Sequence, residues 1–141
     1  MKCDRTKAVR IAVLGTLLVG LTVPIFAHHS TALFDRSKVV SLEGAVTKAE
    51  YGNPHSIYGL TGKEVGVDNA PVKNWVLEAQ NPNIMLSNGL KPDTIKVGDK
   101  ISVTGYARKD GKPYISVATF TDANGKVYQQ CAQFPCKKES Y

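Results

Sequence analysis

The sequence predicts a small, mainly β domain: a five-stranded barrel with one short helix between its third and fourth strands, set behind an export leader. Three observations carry this. From Ile95 to Phe120 the chain reads as two strands and a turn. Ile101, Val103 and Gly105 alternate with Ser102 and Thr104, Asp110-Gly111 suits a hairpin because both residues tolerate positive φ, and Ile115 and Val117 resume the alternation. The same period of two runs through Val40–Val46 and Trp75–Ala79, and nothing after the leader carries a long 3.6-residue periodicity. The resulting order of three strands, a short helix and two strands is that of the Greek-key barrel known as the OB-fold. An open meander covered by the helix is the competing arrangement.

Residues 1–27 read as a secretory signal peptide. Lys2, Arg5, Lys7 and Arg10 form a positive start, Ile11 to Val23 is apolar but for Gly and Thr, and Pro24 precedes Ile25-Phe26-Ala27, a cleavage site with Ala last. The apolar run is short for a bilayer span, so an uncleaved anchor is the lesser alternative, and the address is periplasmic or secreted. The leader holds four of the 18 Lys and Arg and one of the 12 Asp and Glu, so residues 28–141 carry 14 basic and 11 acidic groups, net +3 rather than +6. Without a clustered basic stripe, and outside the cell, nucleic acid is a poor partner. After cleavage no membrane segment is expected. Residues 28–141 make one small domain: an arm at 28–38, the barrel at 39–130 and a tail at 131–141.

Taken in order, Thr31 to Lys38 is polar and mixed, and is read as an arm wrapping the domain. Val40, Leu42, Gly44 and Val46 define the core face of the first strand, with Gly44 marking a bulge or coil. Tyr51-Gly52-Asn53-Pro54-His55 is a turn, since Pro54 removes a ladder donor. Ser56–Thr61 is the second strand, residues 62–72 a loop, and Lys73–Gln80 the third strand with Trp75, Leu77 and Ala79 on one face. Asn81-Pro82 supplies an N-cap and first helical residue, and Gly89 the stop. Val97-Gly98-Asp99 is the turn into the fourth strand. Asp122 to Gly125 is another turn, and Lys126–Gln130 a short edge strand.

The chain resembles a family of small exported bacterial proteins described as domain of unknown function 6152. The matching pieces are Ala27-His28-His29-Ser30 with Phe34-Asp35, Leu42-x-Gly44-x-Val46, Asn53-Pro54-His55, Asn74-Trp75-x-x-Glu78, Pro82-Asn83 with Gly89, and Gly98-Asp99-x-Ile101-x-Val103-x-Gly105-Tyr106. Singly each is weak; in this order they span nearly all of the exported part. The resemblance implies export and an OB-like barrel, and no established activity. One departure stands out: the family usually follows Asn-Pro-His with an aromatic-rich strand, where this chain has Ser56-Ile57-Tyr58-Gly59.

The chemistry-bearing residues are few. All three histidines, His28, His29 and His55, lie after the leader. Cleavage after Ala27 makes His28 the first residue, with an α-amine of pKa about 8 beside its ring. Amine and imidazole, joined by His29 or His55, make a three-nitrogen set that suits copper. The bland alternative is a solvated chain start and a turn-capping His55. Trp75 is either core or a stacking platform, and Glu78 either a metal ligand or base, or a solvated strand position. Tyr51, Tyr58 and Tyr106 either line a face for sugar or peptide or pack across strands. Cys3 leaves with the leader; Cys131 and Cys136 remain, spaced as a short-loop disulfide or a soft-metal thiolate pair. No catalytic triad, phosphate loop or HExxH pattern is present. The sequence therefore points to a binding module and away from an enzyme. Either it holds copper for an exported redox protein, or it is a metal-free domain that binds an envelope protein or glycan.

Overall fold

A computed structural model describes residues 30–130. A 3-10 turn, Ser30–Leu33, leads into six strands: β1 Phe34–Glu50, β2 Ile57–Glu64, β3 Lys73–Glu78, β4 Lys100–Arg108, β5 Tyr114–Thr121 and β6 Val127–Gln129, with the helix α1, Pro82–Ser87, between β3 and β4. They form one sheet in the order β3-β2-β1-β4-β5-β6, and β3 also pairs with β5. The β3–β5 pairing is the only parallel one among the described residues, joining Val76 to Tyr114 and Glu78 to Ser116. Through it the circuit β1-β2-β3-β5-β4 returns to β1. The architecture is all-β with one short helix, as the alternation predicts, and the closed circuit is consistent with the OB-like expectation.

The core follows from the alternation. Val40, Leu42 and Val46 of β1, Tyr58 and Leu60 of β2, Trp75 and Leu77 of β3, Ile101 and Val103 of β4, and Ile115, Val117 and Phe120 of β5 are all buried. Met85 of α1, with Leu90 and Ile95 from the segment that follows, is buried against them. The helix begins as its sequence requires: Asn81 Oδ1 accepts from the Ile84 amide at 3.1 Å, and Pro82 stands in the first turn. It ends through Gly89, in the left-handed region at φ +80°, with the Leu90 amide on the Met85 carbonyl. The Tyr51 hydroxyl lies 3.0 Å from the Pro82 and Leu90 carbonyls and ties α1 to the end of β1.

Closure demands tight coiling, and glycine permits it. Gly44 of β1 pairs with Gly62 of β2. A Cβ on Gly44 would collide with the Thr61 carbonyl, and one on Gly62 with the Glu43 carbonyl. The two strands approach more closely there than any side chain allows.

Three boundaries differ from the sequence reading. β1 starts at Phe34, so residues 34–38, read as part of an arm wrapping the domain, are strand. Phe34 is buried against Tyr106 and Ala118 on a second, smaller cluster, with Tyr114 packed beside it. An aromatic side chain that finds such a site draws its backbone into pairing, here with Arg108. β2 runs on to Glu64, pairing with β1 as far as Leu42. β3 stops at Glu78, and the chain past it is held by Ser56: the Ala79 amide donates to the Ser56 carbonyl and the Ser56 amide to the Gln80 carbonyl.

Candidate metal-binding edge

The β2 entry and the β3 exit meet, and the meeting brings His55 to Glu78. His55 is two residues before β2, and Glu78 is the last residue of β3, paired with Ile57. His55 Nδ1 lies 3.1 Å from Glu78 Oε1, with 36% of the His55 side chain exposed and 12% of Glu78. The imidazole therefore meets solvent while the carboxylate is largely shielded.

Glu78 is held from its other side as well. The Tyr114 hydroxyl donates to Glu78 Oε2 at 2.6 Å. The parallel pairing explains the contact: Glu78 stands opposite Ser116, and Tyr114, two residues earlier on β5, is on the same side of the sheet. Burial, then the hydrogen bond and charge of Glu78, push the Tyr114 phenol well up, while the Arg108 guanidinium works against them. Tyr114 thus stays protonated and remains a donor. The Arg108 guanidinium lies 5.2 Å from the Tyr114 ring centroid, and Phe34 stacks at a tilt 5.8 Å from it.

This arrangement has a chemical consequence for His55. A neutral ring that turns Nδ1–H to this carboxylate keeps its lone pair on Nε2. A carboxylate behind an imidazole is the usual orienting device of a metal-ligating histidine, because it sets the tautomer and makes the ring a better donor. In such a device Glu78 would take the place of the orienting group and His55 Nε2 that of the ligand. One imidazole does not hold a metal. Among the described residues, no group of three or more His, Cys, Asp and Glu is gathered in one place. His28, His29, Cys131 and Cys136 lie outside the described residues.

The aromatic candidates separate sharply. Tyr58, Trp75 and Tyr106 are 1%, 7% and 2% exposed. Trp75 donates from Nε1 to the Gly62 carbonyl at 3.2 Å, and Tyr58 packs edge-on against Phe120 at 5.2 Å. Tyr106 belongs to the Phe34 cluster, with Arg36 5.8 Å above its ring. These three rings serve packing and do not present a ligand face, because both sides of the closed sheet at these positions are covered. Tyr51 is half-buried and engaged with α1. Tyr114 and Arg108 carry no local signal in the sequence. Only the long-range β3–β5 pairing brings them to Glu78.

A separate groove of about 540 Å³ lies towards the other end of β2, lined among others by Glu43, Thr61, Lys63, Val72, Lys100 and Asp122. Within it Lys63 and Glu43 pair at 3.3 Å.

The model of a family of unknown function, DUF6152, matches residues 15–115. The chain belongs to this family. The match spans His28, His29, His55, Glu78 and Tyr114, and it ends before Cys131. No curated protein and no solved structure matches the chain.

Proposed function

We propose that this DUF6152 member is an exported β-domain that binds copper, with His55 as a pre-oriented ligand and the amino end at His28, with or without His29, as the rest of the donor set. The single observation that supports this most is the Tyr114–Glu78–His55 arrangement, in which the nitrogen of a partly exposed imidazole lies 3.1 Å from a carboxylate held by the Tyr114 hydroxyl. Reach supports it too. The Leu33 carbonyl accepts from the Lys109 amide at 2.9 Å, and Phe34 packs on Tyr114, so β1 begins beside the ring that holds Glu78. Phe34 follows His29 by five Cα steps, a span of up to about 17 Å. Amine, His28 ring and His55 Nε2 make a nitrogen-rich set of the kind Cu(II) prefers. The module would serve as a carrier or accessory for an exported redox protein.

The test is a Cu(II) titration of the correctly processed protein, of His55→Ala, and of a version with an extra Met ahead of His28. Roughly tenfold or greater weakening in both altered proteins is expected. Equal, weak binding by all three removes the copper reading. The groove beside Lys63 and Val72 favours a second reading, a metal-free domain that binds a glycan or envelope protein there. That reading predicts a partner lost on Lys63→Glu and indifferent to copper.

A further inference from the structure

The folded domain gathers its excess positive charge on one face, where the opening of β1 meets the β4–β5 hairpin. Phe34, Tyr106 and Ala118 are buried there outside the main core, with Tyr114 packed against them. The Arg36 guanidinium lies 5.8 Å from the Tyr106 ring centroid and the Arg108 guanidinium 5.2 Å from that of Tyr114, so two cations cover one aromatic cluster. Exposed lysines adjoin them. The Asp35 carboxyl is held below its usual range, first by the Ser37 hydroxyl and amide and then by the charges of Lys109 and Lys38, which puts both lysines near it. Lys112 Nζ lies 3.6 Å from Asp110 Oδ2, and Arg108 Nε 3.1 Å from the same oxygen. These groups come from stretches some seventy residues apart, which is why no basic run shows in the sequence.

The face holds five cations against two carboxylates, Asp35 and Asp110, a net +3. That equals the whole net charge of residues 28–141, whose remaining nine basic and nine acidic groups cancel. Glu78, held by the Tyr114 hydroxyl, is largely shielded. Two aliphatic side chains stand among the cations. Leu33 is 46% exposed, and its carbonyl accepts from the Lys109 amide. Val39 is 45% exposed and pairs with Tyr106, so the two share a side of the sheet. The Phe34 and Tyr106 rings are buried, and Arg108 lies over Tyr114. The open ring surface on which a sugar or a base stacks is therefore missing. What this face offers is cations with exposed aliphatic groups between them. Lipid headgroups of negative charge attract the first, and the acyl boundary beneath them takes the second.

We propose that this face, built from Arg36, Lys38, Arg108, Lys109 and Lys112 around Leu33 and Val39, docks the domain on a bilayer surface rich in anionic phospholipid. The domain lies on the membrane and does not cross it. The inference uses none of the proposed copper ligands and stands whether or not copper binds.

The experiment is co-sedimentation of the full processed chain with vesicles at low salt. One set contains equal parts phosphatidylglycerol and phosphatidylcholine, the other phosphatidylcholine alone. The wild type is expected to bind the first set and not the second. Lys38→Gln/Lys109→Gln/Lys112→Gln is expected to weaken that binding roughly 100-fold, about what three lysines near a charged bilayer contribute. Lys73→Gln/Lys91→Gln/Lys96→Gln removes the same charge from exposed positions outside the face. It is expected to stay within roughly threefold of the wild type, because charges more than a Debye length away are screened. No binding of the wild type to the anionic vesicles overturns the inference. So does equal binding to both vesicle sets, or an equal loss in the two triple variants. Capture of the wild type by immobilised polyglutamate without any vesicle binding assigns the face to an acidic protein instead, and also overturns it.

Discussion

At the residue scale the copper proposal rests on Glu78, whose carboxylate, 3.1 Å from His55 Nδ1, would decide which nitrogen of His55 is the donor. Glu78→Gln keeps the size and removes the charge that favours Nδ1–H. The expected result is Cu(II) binding weakened roughly 10–100-fold, the range for loss of an orienting carboxylate, with little change in melting temperature. Tyr114→Phe leaves one oxygen of Glu78 without its donor and is expected to weaken binding less. Tyr58 makes the opposite kind of contribution. Its hydroxyl is buried with no hydrogen-bond partner among the described residues, and burial pushes its phenol up to about 12. An unmatched buried hydroxyl costs stability, so Tyr58→Phe is expected to raise stability by about 1 kcal/mol in urea unfolding. The sign of the pH effect follows from linkage. Above pH 10 the unfolded chain releases this proton before the folded one does. Stability from Tyr58 is therefore whole below pH 10 and falls as pH rises towards 12, and Tyr58→Phe flattens that slope. His55, Glu78 and Tyr58, but not Tyr114, were visible as candidates in the sequence. Their roles were not, because Tyr114 and Glu78 are 36 residues apart and meet only through a non-local pairing.

At the scale of elements, what was legible was what is encoded locally. Asn81-Pro82 and Gly89 bracket α1 because capping acts within one turn of chain. Asp110-Gly111 turns as expected, with Gly111 at φ +75°. Asn81→Ala is expected to cost about 1 kcal/mol, measured by denaturant unfolding. The Gly44–Gly62 crossing is less forgiving, since the atoms in the way are backbone carbonyls on a neighbouring strand. Gly44→Ala is expected to cost about 3 kcal/mol, the upper end of overpacking effects, read by the same unfolding curve. The start of β1 was not legible. Asp35, Arg36, Ser37 and Lys38 read as part of a polar arm, and Asp35 does accept from the amide and hydroxyl of Ser37 in turn fashion. The strand forms nonetheless because Phe34 buries itself on Tyr106 and Ala118, a contact across some seventy residues that no local pattern announces.

At the scale of the whole molecule, closure is the organising fact. The parallel β3–β5 pairing completes the circuit and in the same stroke sets Tyr114 against Glu78. The opening of β1 and the exit of β6 are each fastened to elements that carry the edge, through Phe34 and through Gln130. Phe34→Ala should therefore do two things: lower stability by about 3 kcal/mol through the lost aromatic burial, and weaken Cu(II) binding by loosening the path to His28 and His29. Calorimetry and copper titration read the two effects separately.

The most direct measurement is nitrogen NMR of the His55 ring in the processed protein, before and after substoichiometric Cu(II). A neutral ring protonated on Nδ1, whose Nε2 resonance disappears first as copper is added, is the predicted result. A ring protonated on Nε2, or copper broadening that leaves His55 untouched, would contradict the account.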